Sequence, residues 1–173
     1  MEFRIANEKD IDAVAALYDA ACDALIKGED SPGWEKGVYP VRQNAAQALA
    51  AGELFVVEEQ GEIAGTVVLR EEQEPAARSA PWQLPLAEEE QLTVYTFAVH
   101  PAHKHRGVGH AMLDGAAARA KGQGKKALRL DVHHINTPAI RLYESCGFHF
   151  IDAVDLGYSC YGLGWFDLYE RLL

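Results

Sequence analysis

The stretch from Leu92 to Leu113 constrains this chain most, because it predicts a strand, a short basic loop and a helix in immediate succession. The apolar strand pattern stops at Pro101, and Gly107 and Gly109 open an alanine-rich helix. The first N–H groups of a helix lack internal partners, and the helix dipole adds partial positive charge there. Since glycine has no Cβ, a phosphate can approach this backbone closely. The stretch therefore predicts a site for a phosphate-bearing ligand.

The distribution of charge agrees with a local anion site. The chain as a whole carries a net charge of −10, which argues against general nucleic-acid binding. From His100 to Lys126, however, six basic residues accompany a single acid, Asp114. A solvated basic helix face would give the same count, so charge alone leaves both interpretations open.

Length and composition predict a single domain over residues 1–173. No apolar run approaches the roughly 20 residues of a membrane span, and the start of the chain lacks the pattern of a secretory signal. Cys22, Cys146 and Cys160 stand far apart and are predicted to be small core residues, which fits a reducing compartment. We therefore expect a cytoplasmic protein, monomeric or homodimeric, without a membrane partner.

Other ligand sites compete for the same loop. A dinucleotide fingerprint would need glycine or alanine where Met112 stands. It would also need an acidic residue at the end of the next strand, and no acid has the usual position there, although Asp131 is near. A mononucleotide P-loop would need Gly-Lys-Ser/Thr, which is absent. His100, His103 and His105 have a spacing that can bind a metal, but they overlap the phosphate loop and no fourth ligand is evident. We predict no metal site.

Two sequence blocks carry a resemblance to a known family. The first is Ala98-Val99-His100-Pro101 followed by Lys104-x-x-Gly107-x-Gly109, and the second is Asn136-x-x-Ala139-x-x-Leu142-Tyr143-x-x-x-Gly147-Phe148. Together they resemble the GNAT superfamily of acyl-CoA-dependent N-acetyltransferases, whose phosphate motif is Arg/Gln-x-x-Gly-x-Gly/Ala. Lys104 replaces the usual Arg or Gln, and His105 stands where the commonest version has Gly.

The resemblance implies an α/β fold. It would have a mixed, twisted central sheet of about seven strands with about four helices, splayed between the fourth and fifth strands. The sequence pattern predicts those two strands at Gln91–Val99 and at 127–132. Residues 71–90, with three prolines and six glutamates, interrupt the pattern and are predicted to be an exposed insertion.

The resemblance also implies acetyl-CoA as co-substrate and a set of site residues. The pantetheine arm would pair with the backbone of Phe97, Ala98 and Val99. The pyrophosphate would lie on the amides of the loop and the helix start, with the Lys104 and Arg106 side chains facing phosphates. These amides belong to His105, Arg106, Gly107, Val108, Gly109 and His110.

Two residues of the second block are implied to lie near the thioester. Asn136 would hydrogen-bond the cofactor arm or the splayed backbone, and a simple role at the helix start is the alternative. Tyr143 would lie by the sulfur and act as general acid, and a core tyrosine on an amphipathic helix is the alternative.

The implied reaction is transfer of an acetyl group to a primary amine of a small molecule, peptide or protein. A non-catalytic CoA-binding regulatory module remains the alternative function. No general base is clear; Glu90, His133 and His134 are candidates. Trp34, Tyr39 and the 71–90 insertion are expected to shape the choice of acceptor.

Overall fold

Seven strands and four α-helices make up the regular structure of this computed structural model, which describes residues 1–25, 33–161 and 163–173. The strands are β1 (Glu2–Ile5), β2 (Leu54–Glu59), β3 (Glu62–Arg70), β4 (Gln91–Val99), β5 (Ala127–His133), β6 (His149–Asp155) and β7 (Trp165–Leu172). The helices are α1 (Ile11–Leu25), α2 (Arg42–Ala50), α3 (Val108–Gly122) and α4 (Thr137–Ser145). The predicted α/β class is confirmed.

One sheet contains all seven strands, in the order β1-β2-β3-β4-β5-β7-β6. β1 and β2 are antiparallel to their neighbours β2 and β3, and β7 runs antiparallel to both β5 and β6. β4 and β5 are parallel, and their ladder joins Gln91–Val94 to Ala127–Leu130. The ladder therefore covers the first four residues of β4, which itself continues to Val99.

Contacts along the chain define two compact units. The first contains residues 1–25, Trp34–Leu69 and Thr96–Ala116, and the second contains Gly33, Arg70–Tyr95 and the described part of Ala117–Leu173. The apolar spacing from Ile11 to Leu25 predicts a first helix that ends near Gly28, and this predicted end lies outside the described residues. The single-domain organisation stays a prediction. No helix in the described ranges is both long and apolar enough to cross a membrane.

In the first unit, small residues let α3 approach the sheet closely. A Cβ on Gly115 would lie 2.2 Å from Cγ of Phe3, whose ring stacks on Phe55 at 5.4 Å. A Cβ on Gly65 of β3 would lie 2.7 Å from the sulfur of Met112. The alanine- and glycine-rich pattern of the helix is thus a packing requirement as well as a feature of its N-terminal loop.

In the second unit, a buried ion pair joins β5 to β7. Nε of Arg129 donates to Oε1 of Glu170 at 2.9 Å, and the two side chains are 2% and 0% exposed. The segment 71–90 covers this pair, because the Trp82 ring centroid lies 4.3 Å from the guanidinium carbon. Most of the segment is exposed or half-buried as predicted, but Gln73 and Ala77 are buried and anchor it.

Two local predictions are wrong. The sequence Thr137-Pro138 predicts Thr137 as the cap of α4, but Asn136 caps it, because its side chain accepts a hydrogen bond from the Ala139 amide. Cys160 is exposed, whereas Cys22 and Cys146 are buried as predicted. Cysteine burial depends on where the chain passes in three dimensions, which residue type alone does not determine.

Candidate active site

The loop between β4 and α3 presents a row of backbone amides without internal partners. A 3-10 turn at Pro101–His103 follows β4, and α3 begins at Val108. Within the described part of the chain, the amides of residues 105–109 donate no hydrogen bond, and the first bond runs from Ala111 to the Gly107 carbonyl at 3.0 Å. Residues 104–107 are exposed. The start of α3 can therefore receive an anion without breaking existing hydrogen bonds.

The backbone of this loop takes left-handed conformations at two residues. His105 has a φ of 62° and Gly107 a φ of 83°. Glycine adopts this region freely, whereas a residue with a Cβ loses about 1–2 kcal/mol. The strain at His105 gives a physical reason why glycine is common at the corresponding position of the motif. A Cβ at Gly107 would meet its nearest neighbour, Met1 Cε, at 3.9 Å, so the space above the loop is open.

Charged side chains anchor the loop to the β2–β3 hairpin. Nδ1 of His103 lies 2.9 Å from Oε2 of Glu59, and its Nε2 lies 3.3 Å from Oε2 of Glu62. The hydrogen bond with His103 is the main cause that lowers the pKa of Glu59. Arg106 reaches the same Glu59 oxygen at 3.8 Å but is 57% exposed, and Lys104 is exposed. Both cations remain accessible to a ligand at the loop.

The three histidines of the metal alternative have separate surroundings. His103 contacts two carboxylates, Nδ1 of His100 accepts the Ala102 amide at 3.2 Å, and His105 is exposed. Across residues 1–25, 33–161 and 163–173, no group of three His, Cys, Asp or Glu side chains is arranged to hold a metal ion.

β4 bends at Thr96, just before the residues predicted to contact pantetheine. Thr96 has a φ of 46°, which is an outlier for a β-branched residue and is typical of a bulge. The hydroxyls of Tyr39 and Thr96 lie 2.7 Å apart, and the Trp34 ring meets the edge of Tyr39 at 6.3 Å. Phe97 and Val99 are half-buried and Ala98 is buried. Of the aromatic residues expected near the acceptor, Tyr39 thus contacts β4 at Thr96, and Trp34 packs against Tyr39.

Tyr143 lies on α4 and is buried, with its ring 5.9 Å from that of Phe148. Burial raises the pKa of its phenol, and the charge of Asp131 adds to this effect. The raised pKa keeps the phenol protonated, so Tyr143 is a hydrogen-bond donor over the physiological range. Oδ1 of Asn136 accepts a hydrogen bond from the Ala139 amide at 3.4 Å. This contact corresponds to the alternative role of Asn136, at the start of the helix.

Asp131 is a titratable residue that the sequence analysis did not identify as a candidate for proton transfer. It lies on β5, and burial together with the nearby charge of Glu74 raises its pKa to about 7. Groups with pKa values near neutrality are suited to proton transfer and concentrate at functional sites. The available signal was a lone acid inside an otherwise apolar strand end, Leu130-Asp131-Val132.

The three residues considered as general base have other surroundings. Glu90 is paired with Lys126, and the hydrogen bond from that lysine is the main cause that lowers its pKa. His133 is buried against Phe166 at 5.3 Å, and His134 is exposed. Since the lowered pKa makes Glu90 a weak base, Asp131 is the better candidate on electrostatic grounds.

Comparison with known families decides the relationship. The profile of the acetyltransferase (GNAT) family matches residues 15–148, which include the whole loop and both sequence blocks. This chain belongs to the GNAT family. The resemblance inferred from the two sequence blocks is thereby confirmed.

Individual relatives of this GNAT chain agree on the fold. A GNAT acetyltransferase from Streptococcus agalactiae superposes with a TM-score of 0.83 at 21% identity, over 99% of this chain and 95% of that one. A Salmonella typhimurium protein, whose structure contains its cofactor acetyl-CoA, superposes with a TM-score of 0.71 at 20% identity, over 100% and 94%.

Among curated relatives, streptothricin acetyltransferase from Streptomyces lavendulae is 36% identical over 61 residues, which are 35% of this chain and 32% of that protein. This GNAT chain therefore spans about a third of the length of that relative.

Proposed function

We propose that this chain is an acetyl-CoA-dependent N-acetyltransferase that acts on a primary amine of a small molecule, peptide or protein. The observation that carries the proposal is the row of amides at residues 105–109, which donate no hydrogen bond to the described residues and lie at the positive end of α3 beside Lys104 and Arg106. Several neighbouring N–H donors can bind several phosphate oxygens, and a diphosphate supplies them. Acetyl-CoA combines a diphosphate with an activated acetyl thioester, and the Salmonella relative binds it.

The proposed cofactor site uses backbone more than side chains. Residues 105–110 offer amides to the diphosphate, and Lys104 and Arg106 supply the charge. Phe97, Ala98 and Val99 follow the bend at Thr96 and offer their backbone to the pantetheine arm. Asn136 contributes through the start of α4, which its side chain caps.

Tyr143 is the proposed general acid. The amine must attack as a free base, and the departing sulfur needs a proton or a hydrogen bond. A buried phenol with a raised pKa remains protonated until the sulfur develops negative charge, so it can then donate. A CoA-binding module without turnover would have no use for this proton.

A substitution at Gly107 tests the diphosphate site. We expect Gly107→Ala to weaken acetyl-CoA binding at least about tenfold, because a Cβ would fill the open space above the loop. Gly124→Ala is the matched control, since Gly124 also has a left-handed φ, 72°, and open space around it. Both variants should lose about 1 kcal/mol of stability. Calorimetric titration with acetyl-CoA that gave equal affinities for both variants would contradict the proposed site.

A substitution at Tyr143 separates catalysis from simple binding. We expect Tyr143→Phe to lower kcat by about 100-fold, since general acid catalysis contributes at least that factor. The dissociation constant for CoA should change less than about twofold, because the ring is kept. CoA release under saturating acetyl-CoA measures the first quantity, and equilibrium dialysis measures the second. An unchanged kcat would remove Tyr143 from the mechanism.

The cellular setting is part of the proposal. Free thiols, of which Cys160 is exposed, favour the reducing cytoplasm as the location. The oligomeric state is expected to be monomer or homodimer, which analytical ultracentrifugation of the purified chain decides.

A further inference from the structure

A cluster of four charged side chains joins the loop before α3 to the β2–β3 hairpin. Its members are Glu59 at the end of β2, Glu62 at the start of β3, His103 of the 3-10 turn and Arg106 of the loop. All four belong to the first unit. Since Arg106 is proposed to supply charge to the diphosphate, the groups that compete for its guanidinium affect how strongly the ligand binds.

Two cations approach the same oxygen of Glu59 at different distances. Nδ1 of His103 lies 2.9 Å from Oε2 of Glu59, whereas Nη1 of Arg106 lies 3.8 Å from that oxygen. Hydrogen bonds from nitrogen to oxygen have lengths of roughly 2.7–3.2 Å, so the first contact is a hydrogen bond and the second is not. His103 therefore holds the carboxylate, and the Arg106 guanidinium, whose side chain is 57% exposed, stays outside that bond.

The Glu59 carboxylate is a rival of the phosphate for Arg106. Its side chain is 18% exposed, and its pKa is lowered by the hydrogen bond with His103 and by the charges of His103 and Arg106, so it is ionised. A guanidinium forms paired hydrogen bonds with a carboxylate as well as with a phosphate. Without another donor, Glu59 would therefore draw Arg106 towards the hairpin and away from a ligand.

His103 is suited to occupy this carboxylate. Its side chain is 9% exposed, and its second ring nitrogen, Nε2, lies 3.3 Å from Oε2 of Glu62. Ionised carboxylates only accept hydrogen bonds, so both ring nitrogens are placed to donate, as they do in an imidazolium. The ring of His100 meets that of His103 edge-on at 5.7 Å and limits its movement. The imidazole thus offsets negative charge of the hairpin that lies beside the loop.

We infer that His103 is a positioning residue for cofactor binding, because it occupies the Glu59 carboxylate and thereby leaves the Arg106 guanidinium available to the diphosphate. This inference rests on the proposed acetyl-CoA site and adds a residue that acts through Glu59 rather than by contact with the cofactor. A purely structural role, in which His103 ties the loop to the hairpin, is the alternative. The two roles predict different results once Glu59 has lost its charge.

Binding of acetyl-CoA to His103→Leu, measured by calorimetry at low ionic strength, is the first test. Leucine donates no hydrogen bond, so Glu59 is expected to capture Arg106 and the Kd should rise at least about threefold. The factor is modest because Arg106 is exposed and solvent screens its charge. The difference should shrink at about 0.5 M salt. S-acetylpantetheine, which has the same thioester arm but no phosphate, should bind both proteins equally.

A second substitution, at Glu59, separates the two roles. In the double variant His103→Leu with Glu59→Gln, no carboxylate remains to capture Arg106, so the acetyl-CoA affinity should return to within about twofold of the wild type. If His103 only anchored the loop, this double variant would bind no better than His103→Leu. Since the double variant carries the same leucine, recovery of its affinity also shows that the leucine does not prevent folding.

Glu62→Gln in the His103→Leu background is the matched control. It removes an equal charge from the same hairpin and from the other nitrogen of His103, whereas the ion pair of Arg106 in the described part of the chain is with Glu59. We expect no recovery of acetyl-CoA affinity in this control. Recovery equal to that with Glu59→Gln would show that the overall charge, and not the capture of Arg106, determines binding, which would overturn the inference.

Inorganic pyrophosphate separates this inference from the proposed function. If the wild type bound pyrophosphate but not acetyl-CoA, the proposed function would fail, whereas the same order of affinities among the variants would still support the role of His103. Unchanged affinity of His103→Leu for both ligands, or an equal loss of S-acetylpantetheine binding, would contradict that role. So would a double variant with Glu59→Gln that stays as weak as His103→Leu.

Discussion

Glu170→Ala is expected to lower the free energy of unfolding by about 3–5 kcal/mol, because it leaves the buried Arg129 guanidinium without its counter-charge. Burial already lowers the pKa of Arg129, and the bond to Glu170 offsets this effect. The same substitution removes the acceptor of the Gln83 amide, whose bond to Glu170 is 2.9 Å long. Urea denaturation followed by circular dichroism measures the loss.

Two control variants distinguish the cost of an unpaired buried charge from the loss of an ordinary exposed ion pair. Arg42→Ala breaks a bond to Asp12 of similar length, 2.8 Å, but both side chains are exposed, so we expect a loss below about 1 kcal/mol. Replacing both buried partners, as Arg129→Met with Glu170→Leu, should recover most of the stability, since no unpaired charge remains. A loss in Glu170→Ala no larger than in Arg42→Ala would show that the pair is solvated in solution.

The second large effect concerns Asp131, whose substitution is expected to stabilise the fold while it weakens the proposed activity. The folded-state pKa of about 7 lies above the ordinary value of 3.8. The native state therefore binds the proton more tightly than the unfolded chain does. The free-energy cost of ionising Asp131 in the native state is fully present above pH 7. It disappears as the pH falls towards the pKa that Asp131 has in the unfolded chain. We expect Asp131→Asn to gain about 2–4 kcal/mol near pH 8 and little near pH 4.

Unfolding free energies of wild type and variant across this pH range measure the gain directly. Glu89→Gln, at an exposed position, serves as the reference and should show no comparable pH-dependent difference. Curves for Asp131→Asn and wild type that run parallel from acid to alkaline pH would mean that the Asp131 carboxylate is not perturbed. A functional residue that destabilises its own fold is a common compromise in enzymes.

Local signals predicted the parts of the site that are made from consecutive residues. β4 spans Gln91–Val99 and α3 begins at Val108, both as the sequence indicates. Proline and glycine act through the backbone of their immediate neighbours, so Pro101 and Gly107 mark the loop whatever surrounds it. The same holds for the start of α4, apart from the shift of the cap to Asn136.

Local sequence signals could not predict interactions between residues that are far apart in the sequence. Arg129 and Glu170 are 41 positions apart, and in the sequence each reads as an ordinary surface charge. Burial raises the pKa of Asp131, and the charge of Glu74, which belongs to a segment that composition describes as a solvated loop, adds to this effect. The left-handed backbone of Thr96 contradicts its residue type and is accompanied by a contact with Tyr39. These features arise from tertiary packing, which overrides local preference.

The attachment of the segment 71–90 determines which of its positions can be varied. Gln83 and Leu84 contact the ion pair through their backbone, whereas Trp82 places its ring over Arg129, so Trp82 is the position whose side chain this contact constrains. Gln73 and Glu74 instead line a small cleft beside Asp131 of β5. A library that randomises residues 72–76 and keeps Trp82 fixed would therefore vary the lining of this cleft while the covering of the ion pair is retained.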